Sequence, residues 1–336
     1  MNDSEPPTPR RRSTTRRVGF VLGIALLCAA AVYLIADPSE LRAFSDRIAH
    51  APAWAIVLVL IGPLLNWVFV SQCLWALNRR HGEIARTEML ALVGSAWLLN
   101  HLPMRPGLVG RIGYHAKVNR IRVRDAVEAS VWSLVHAIIA NLIGLGLALL
   151  LSPEIGIARL ALILSSPLAA MLLLSVLAET KSDQLGLMMR ALMWRYADLL
   201  VWMLRYAAAF AMLGVQITPV QIALITAVSQ AAQVIPITGG GLGFREWGVG
   251  LAATMSKGTA AIDMRTAVGA DVINRIAETI IVIPLGLICT TIVTRRFKTA
   301  MDTRREEQAS MGPVLPEGEA VRHAQEEHQG GHPGEQ

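Results

Sequence analysis

Asp271, Arg275 and Glu278 stand at i, i+4 and i+7 within an apolar run over 266–293, so a helix there carries all three ionisable groups on one face. A charge near the centre of a membrane helix costs about 2.5–3.5 kcal/mol on insertion scales, and such groups therefore pair with one another or serve a ligand. Arg245 and Glu246 close a glycine-rich stretch just upstream and can join the same network. Two chemistries fit. In one, Arg245, Arg275 and a helix N-terminus hold an anion such as a phosphate, while Glu246, Asp271 and Glu278 orient the arginines or couple to protons. In the other, a net-neutral cluster pins the helices and binds nothing. The spacing does not separate them.

A proline-led, glycine-rich loop occurs twice. The first copy carries Pro103, Pro106, Gly107 and Gly110 and is followed by Arg111; the second carries Pro236, Gly239, Gly240, Gly241 and Gly243. Pro103 aligns with Pro236, Gly107 with Gly240, and Gly110 with Gly243. Non-helical chain survives at membrane depth only inside protein or beside water, because an unsatisfied backbone group in hydrocarbon costs several kcal/mol. Glycines suit a tight reversal and close approach of backbone to a ligand, and Pro236 can end the helix before it. The next helix is expected to begin near Arg245 or Glu246. In the first half, Glu128, Ser133 and His136 follow the loop, and His136 fits either a hydrogen-bonded core residue or a titrating group. The candidate substrate-binding set is thus Arg245, Glu246, Asp271, Arg275 and Glu278, with Arg111 and His136 from the first half. No metal or cofactor site is expected.

The elements that must position these residues are membrane helices. With 53% hydrophobic and 17% charged residues in 336, the chain reads as a polytopic membrane protein. Apolar stretches at 18–36, 53–77, 126–151, 157–178, 199–215 and 266–293 are mostly about 20 residues long, as a helical span requires. Two shorter stretches, 89–102 and 220–237, run into the repeated loops. The arginines before residue 18 precede an uncleaved first helix rather than a secretory signal. Cys28, Cys73 and Cys289 fall within spans and form neither a disulfide framework nor a zinc spacing. Motifs of hydrolases, metalloproteases and P-loop enzymes are lacking, so the chain does not read as an enzyme or a nucleic-acid binder.

Placement of Arg and Lys predicts cytoplasmic N- and C-termini and cytoplasmic loops around 79–86, 105–124 and 181–195. On that count the first short stretch enters and leaves on the cytoplasmic side, and the second does so from the opposite face. The expected fold is all-α, with six full spans and two re-entrant hairpins in an inverted repeat, the first over about 53–151 and the second over about 199–293. If both short stretches simply cross, the loops become ordinary connections. Residues 1–17 form a basic cytoplasmic N-terminus, 18–296 the membrane domain, and 297–336 a disordered cytoplasmic tail. Arg190, Arg195 and Asp198 read as a juxtamembrane helix, and Arg205 as a deeper residue facing a cavity.

The loop motif from Asn100 to Gly110, the run from Pro236 to Glu246, and the pair Arg275 and Glu278 resemble the flippase-like family that shares the transmembrane domain of lysylphosphatidylglycerol synthases. The likeness covers roughly 18–296. It implies a multi-pass protein of the bacterial plasma membrane that moves an anionic or polyprenyl-type lipid between leaflets, or an accessory subunit of a synthase or glycosyltransferase handling such lipids. Two departures stand out. Arg111 occupies a position where many members carry Glu, and the aminoacyl-transferase domain is absent, so lysyl-phosphatidylglycerol synthesis is not expected.

Overall fold

A computed structural model describes residues 11–102, 105–151, 157–234, 239–256 and 262–310. Among them all regular structure is helical: α1 (Arg11–Ile35), α2 (Pro38–Ala49), α3 (Ala53–Arg79), α4 (Arg86–Asn100), α5 (Pro106–Lys117), α6 (Val123–Leu149), α7 (Ile157–Glu179), α8 (Asp183–Met212), α9 (Pro219–Val234), α10 (Phe244–Met255) and α11 (Met264–Ser310). Four of these, α3, α6, α7 and α11, contain segments long and apolar enough to cross a membrane, and α1 with α2 makes a fifth if the bent pair counts as one span. Pro103 and Pro236 lie outside the described residues, as do the histidines of the C-terminal tail.

The chain divides into two compact units, 1–293 and 294–336. In the second, helical backbone continues to Ser310, beyond the expected start of the tail at 297. In the first, α8 is the central helix: it packs along α3 and also against α6, α7 and α9. Its sequence carries Asp183, Arg190, Arg195, Asp198 and Arg205, too many charges for a lipid-facing span. Asp198 and Arg205 are each only 1% exposed, so the charges in the middle of the helix face protein.

Small residues let the helices approach closely. Ala208, Ala209, Ala252, Ala253, Ala267 and Ala270 join Tyr206 and Phe210 in the largest buried cluster, built from α3, α8, α9, α10 and α11. A cross-helix bond of 3.0 Å between Ser95 and Thr290 hydroxyls ties α4 to α11. The outer faces are the reverse of a soluble protein: Leu142, Leu162, Leu172, Leu173, Ile280 and Leu287 are exposed. The α7 helix is the barest, with 11% of its apolar window buried.

The α2 helix bends 89° from the described part of α1. Asp37 caps it, its carboxylate accepting the Ser39 N–H at 2.9 Å, with Pro38 at the first helical position. Phe44 and Ile48 seat it on the core.

The first glycine loop owes its sequence to packing. Gly107 sits inside α5 directly on α4, and a β-carbon there would overlap the Ala96 carbonyl. Asn100 Oδ1 accepts the Leu108 N–H at 3.2 Å, satisfying one free donor at the start of α5. Gly110, by contrast, has open space around it. Replacing Gly107 by Ala is therefore expected to destabilise the protein by about 1–3 kcal/mol through overpacking, whereas Gly110→Ala is neutral or stabilises by up to about 1 kcal/mol. Thermal unfolding in detergent separates the two, and equal midpoints would refute the packing argument.

Candidate functional site

The charged face of α11 meets the start of α10 and the middle of α8. Arg245 Nε donates to Asp271 Oδ1 at 2.8 Å, and its Nη1 donates to Glu278 Oε2 at 3.1 Å. Arg275, one turn from each of those carboxylates, donates from Nη2 to the Gly240 carbonyl at 2.9 Å. Its Nε lies 2.9 Å from Glu246 Oε1, an ion pair whose angles miss hydrogen-bond alignment. The five residues singled out by spacing in the second half thus converge on one another.

Residues of α8 and α3 complete the cluster. From α8, Arg205 donates to Asn66 Oδ1 of α3 at 3.0 Å and to the Asn274 carbonyl at 3.2 Å, with Glu278 3.7 Å away. Tyr206 donates its hydroxyl to Asp271 Oδ1 at 2.5 Å. Asn66 also donates to Asp198 Oδ1 at 2.6 Å, and Asp198 is paired by Arg195 at 3.0 Å. The Trp202 ring lies beneath two guanidinium groups, 4.2 Å from that of Arg205 and 5.1 Å from that of Arg245, where its negative face adds attraction. On α3, Gly62 makes room for the Arg205 stem, since a β-carbon there would overlap Arg205 Cγ.

Four arginines, Arg195, Arg205, Arg245 and Arg275, face four carboxylates, Asp198, Glu246, Asp271 and Glu278. Burial grades across the cluster. Arg245, Glu246 and Asp271 are sealed, whereas the Arg195, Arg275 and Glu278 side chains are 18%, 16% and 14% exposed and form its edges. Several sealed atoms have no hydrogen-bond partner among the described residues, including Arg245 Nη2, Glu246 Oε2 and Asp271 Oδ2. Such atoms are costly unless water or a ligand meets them.

The second glycine loop is built for conformation. Between α9 and α10 a single 3-10 turn spans Gly239–Gly241, and Gly240, Gly241 and Gly243 have φ of 59°, 77° and 79°. Those are left-handed angles that side chains disfavour. Gly243 also packs against Gly23 and Leu26 of α1, and Trp247 Nε1 donates to the Leu26 carbonyl at 3.1 Å. The α10 helix starts at Phe244, as expected, and Glu246 lies in its first turn. The positive helix end is therefore already opposed by the chain's own carboxylate. Gly107 and Gly110 lie within α5 and show no such angles, so the aligned glycines of the two loops play different backbone roles.

Arg111 and His136 sit elsewhere. Arg111 donates to Ser130 Oγ at 3.0 Å, and His136 Nδ1 lies 2.7 Å from the Trp132 carbonyl, one turn back on its own helix. Neither bonds to a member of the charge cluster among the contacts described. Sequence reasoning left out Asn66, Trp202, Tyr206 and Asn274. A signal existed for α8, where Asp198, Trp202 and Arg205 repeat the i, i+4, i+7 spacing of Asp271, Arg275 and Glu278. Among the described residues no group of three or more His, Cys, Asp or Glu is placed to hold a metal ion. Comparison with protein-family models, curated proteins and solved structures finds no match to this chain.

Removing one partner of a sealed ion pair leaves an uncompensated charge, at a cost of about 3–5 kcal/mol. Arg245→Met and Asp271→Leu are each expected to lower the unfolding midpoint sharply, and the double variant to recover part of the loss. A double-mutant cycle by thermal unfolding checks this; strictly additive losses would show that the pair is not coupled.

Proposed function

We propose that this chain moves a phosphate-bearing lipid between the leaflets of a bilayer, as a flippase-like protein of a bacterial plasma membrane. The observation that carries the reading is the buried ion cluster at an interrupted helix, inside a bundle whose outer faces are apolar. A lock that only pins helices gains nothing from placing an arginine at its accessible edge. Arg275 occupies such an edge, holding the glycine turn through the Gly240 carbonyl. A planar guanidinium suits phosphate oxygens. Arg205 and Arg245, engaged on several sides, position Glu278 and Asp271 rather than touch the lipid.

The membrane arrangement proposed with it has six full spans and two re-entrant hairpins entering from opposite faces. The hairpins are α4–α5 and α9–α10. At 1.5 Å per residue, α4 and α9 reach only about 22–24 Å and α5 and α10 about 18 Å, short of a hydrocarbon core of about 30 Å. Helix α8 supplies the sixth span, its charges shielded by α3, α6, α7 and α9. Cytoplasmic termini follow from the basic N-terminal segment and from Arg295, Arg296 and Lys298.

Vesicles containing the purified chain are expected to exchange a fluorescent phosphatidylglycerol between leaflets, measured by dithionite quenching. Loss of a charge-assisted contact worth about 1.5–3 kcal/mol predicts that Arg275→Ala slows exchange about tenfold or more. Arg275→Lys keeps a cation beside Glu246 and serves as the folding control. Wild-type protein that is inert, and that co-purifies with a glycosyltransferase or synthase, would replace transport with an accessory role.

A further inference from the structure

A cavity of about 450 Å³ opens between the α1–α2 elbow and α11. Its wall is apolar: Leu27, Ala31 and Leu34 along one face of α1, Phe44 from α2, and Val272 and Ile276 from α11. The spacing of 27, 31 and 34 turns a continuous stripe of α1 into the groove. Arg275, an edge residue of the ion cluster, also lines it. One groove therefore joins an apolar slot to a guanidinium.

We propose that this elbow groove holds one acyl chain of a glycerophospholipid, with the phosphodiester at Arg275. The inference rests on reading the chain as a lipid carrier and names where that lipid sits. Three observations choose the occupant. The volume falls in the range of small-molecule sites and is too small for a partner helix about 10–12 Å across. The charged lining favours an anion: Arg47, Arg265 and Arg275 face Glu40 and Asp263, and the Asp263 carboxylate is already taken by the Thr266 N–H and hydroxyl, at 2.8 and 2.6 Å. Arg275 gives Nη2 to the Gly240 carbonyl and holds Nε against Glu246 as an ion pair, and a guanidinium has five donors, so among the described residues Nη1 is left for a phosphate oxygen. Phe44, which lines the groove, is itself held against α11 where Gly269 has no side chain, and a β-carbon there would lie 2.6 Å from Phe44 Cε2.

The test is photo-crosslinking of the full chain in phosphatidylcholine vesicles doped with a phosphatidylglycerol that carries a diazirine on one acyl chain. Peptide mapping is expected to place adducts on the groove, at Ala31, Phe44, Val272 or Ile276, in excess over the more exposed helix α7. Unlabelled phosphatidylglycerol is expected to compete and phosphatidylcholine not to. Ile276→Trp alters a residue that is 55% exposed and so leaves folding intact. It is expected to abolish groove labelling while α7 labelling and the unfolding midpoint stay unchanged. Adducts spread in proportion to exposure would overturn the inference, as would stronger competition by a polyprenyl phosphate or a crosslink joining two copies of the chain through the groove. Groove labelling without leaflet exchange supports the site and removes only the transport reading. Leaflet exchange that survives Ile276→Trp, with no groove adducts, sinks the site and leaves transport standing.

Discussion

A guanidinium taken out of water must find carboxylates and carbonyls in the right places, because its desolvation penalty exceeds any single contact it then makes. That requirement organises the centre of the chain. Arg205 and Arg245 are 1% exposed, and each is surrounded on several sides: an asparagine and a backbone carbonyl for one, two carboxylates for the other, and the Trp202 face between them. Four elements must hold their register for this to work. A slip of one residue along α11 would turn Asp271 and Glu278 away from Arg245 and expose the penalty in full.

Closeness of backbones is the second condition. The Arg205 stem reaches Asn66 across the surface of Gly62, and α5 lies on α4 through Gly107. In a bundle whose outer face is as apolar as lipid, water does not drive helices together, so contact area and cross-helix polar bonds must. The alanines of the main buried cluster and the Ser95–Thr290 bond serve that end. The glycine turn before α10 does something different: its left-handed residues bring a carbonyl to Arg275 and place Glu246 beneath it.

Burial falls off across the ion cluster from Asp271 to Arg275. The sealed members are enclosed by protein, and the edge members are partly open. Among the partly open members, Arg275 also reaches the wall of the elbow groove, and on the proposed reading it is the one that meets a lipid headgroup.

Much was legible from one helix read alone. The apolar lengths of α3, α6, α7 and α11, the shared face of Asp271, Arg275 and Glu278, and the start of α10 after the glycines all follow from local periodicity and from the cost of burying charge. Partners across helices were not legible, because the residue opposite a given face depends on crossing geometry that no local pattern encodes. Thus Asn66, Trp202, Tyr206 and Asn274 emerged only when α3, α8 and α11 came together. The two glycine loops teach the same lesson, since similar residues serve close packing in one and left-handed backbone in the other. Sequence by itself determined that the chain is helical, apolar outside and charged at chosen points. Tertiary structure alone decided which charges meet, because pairing is a matter of distance between helices and not of spacing along one.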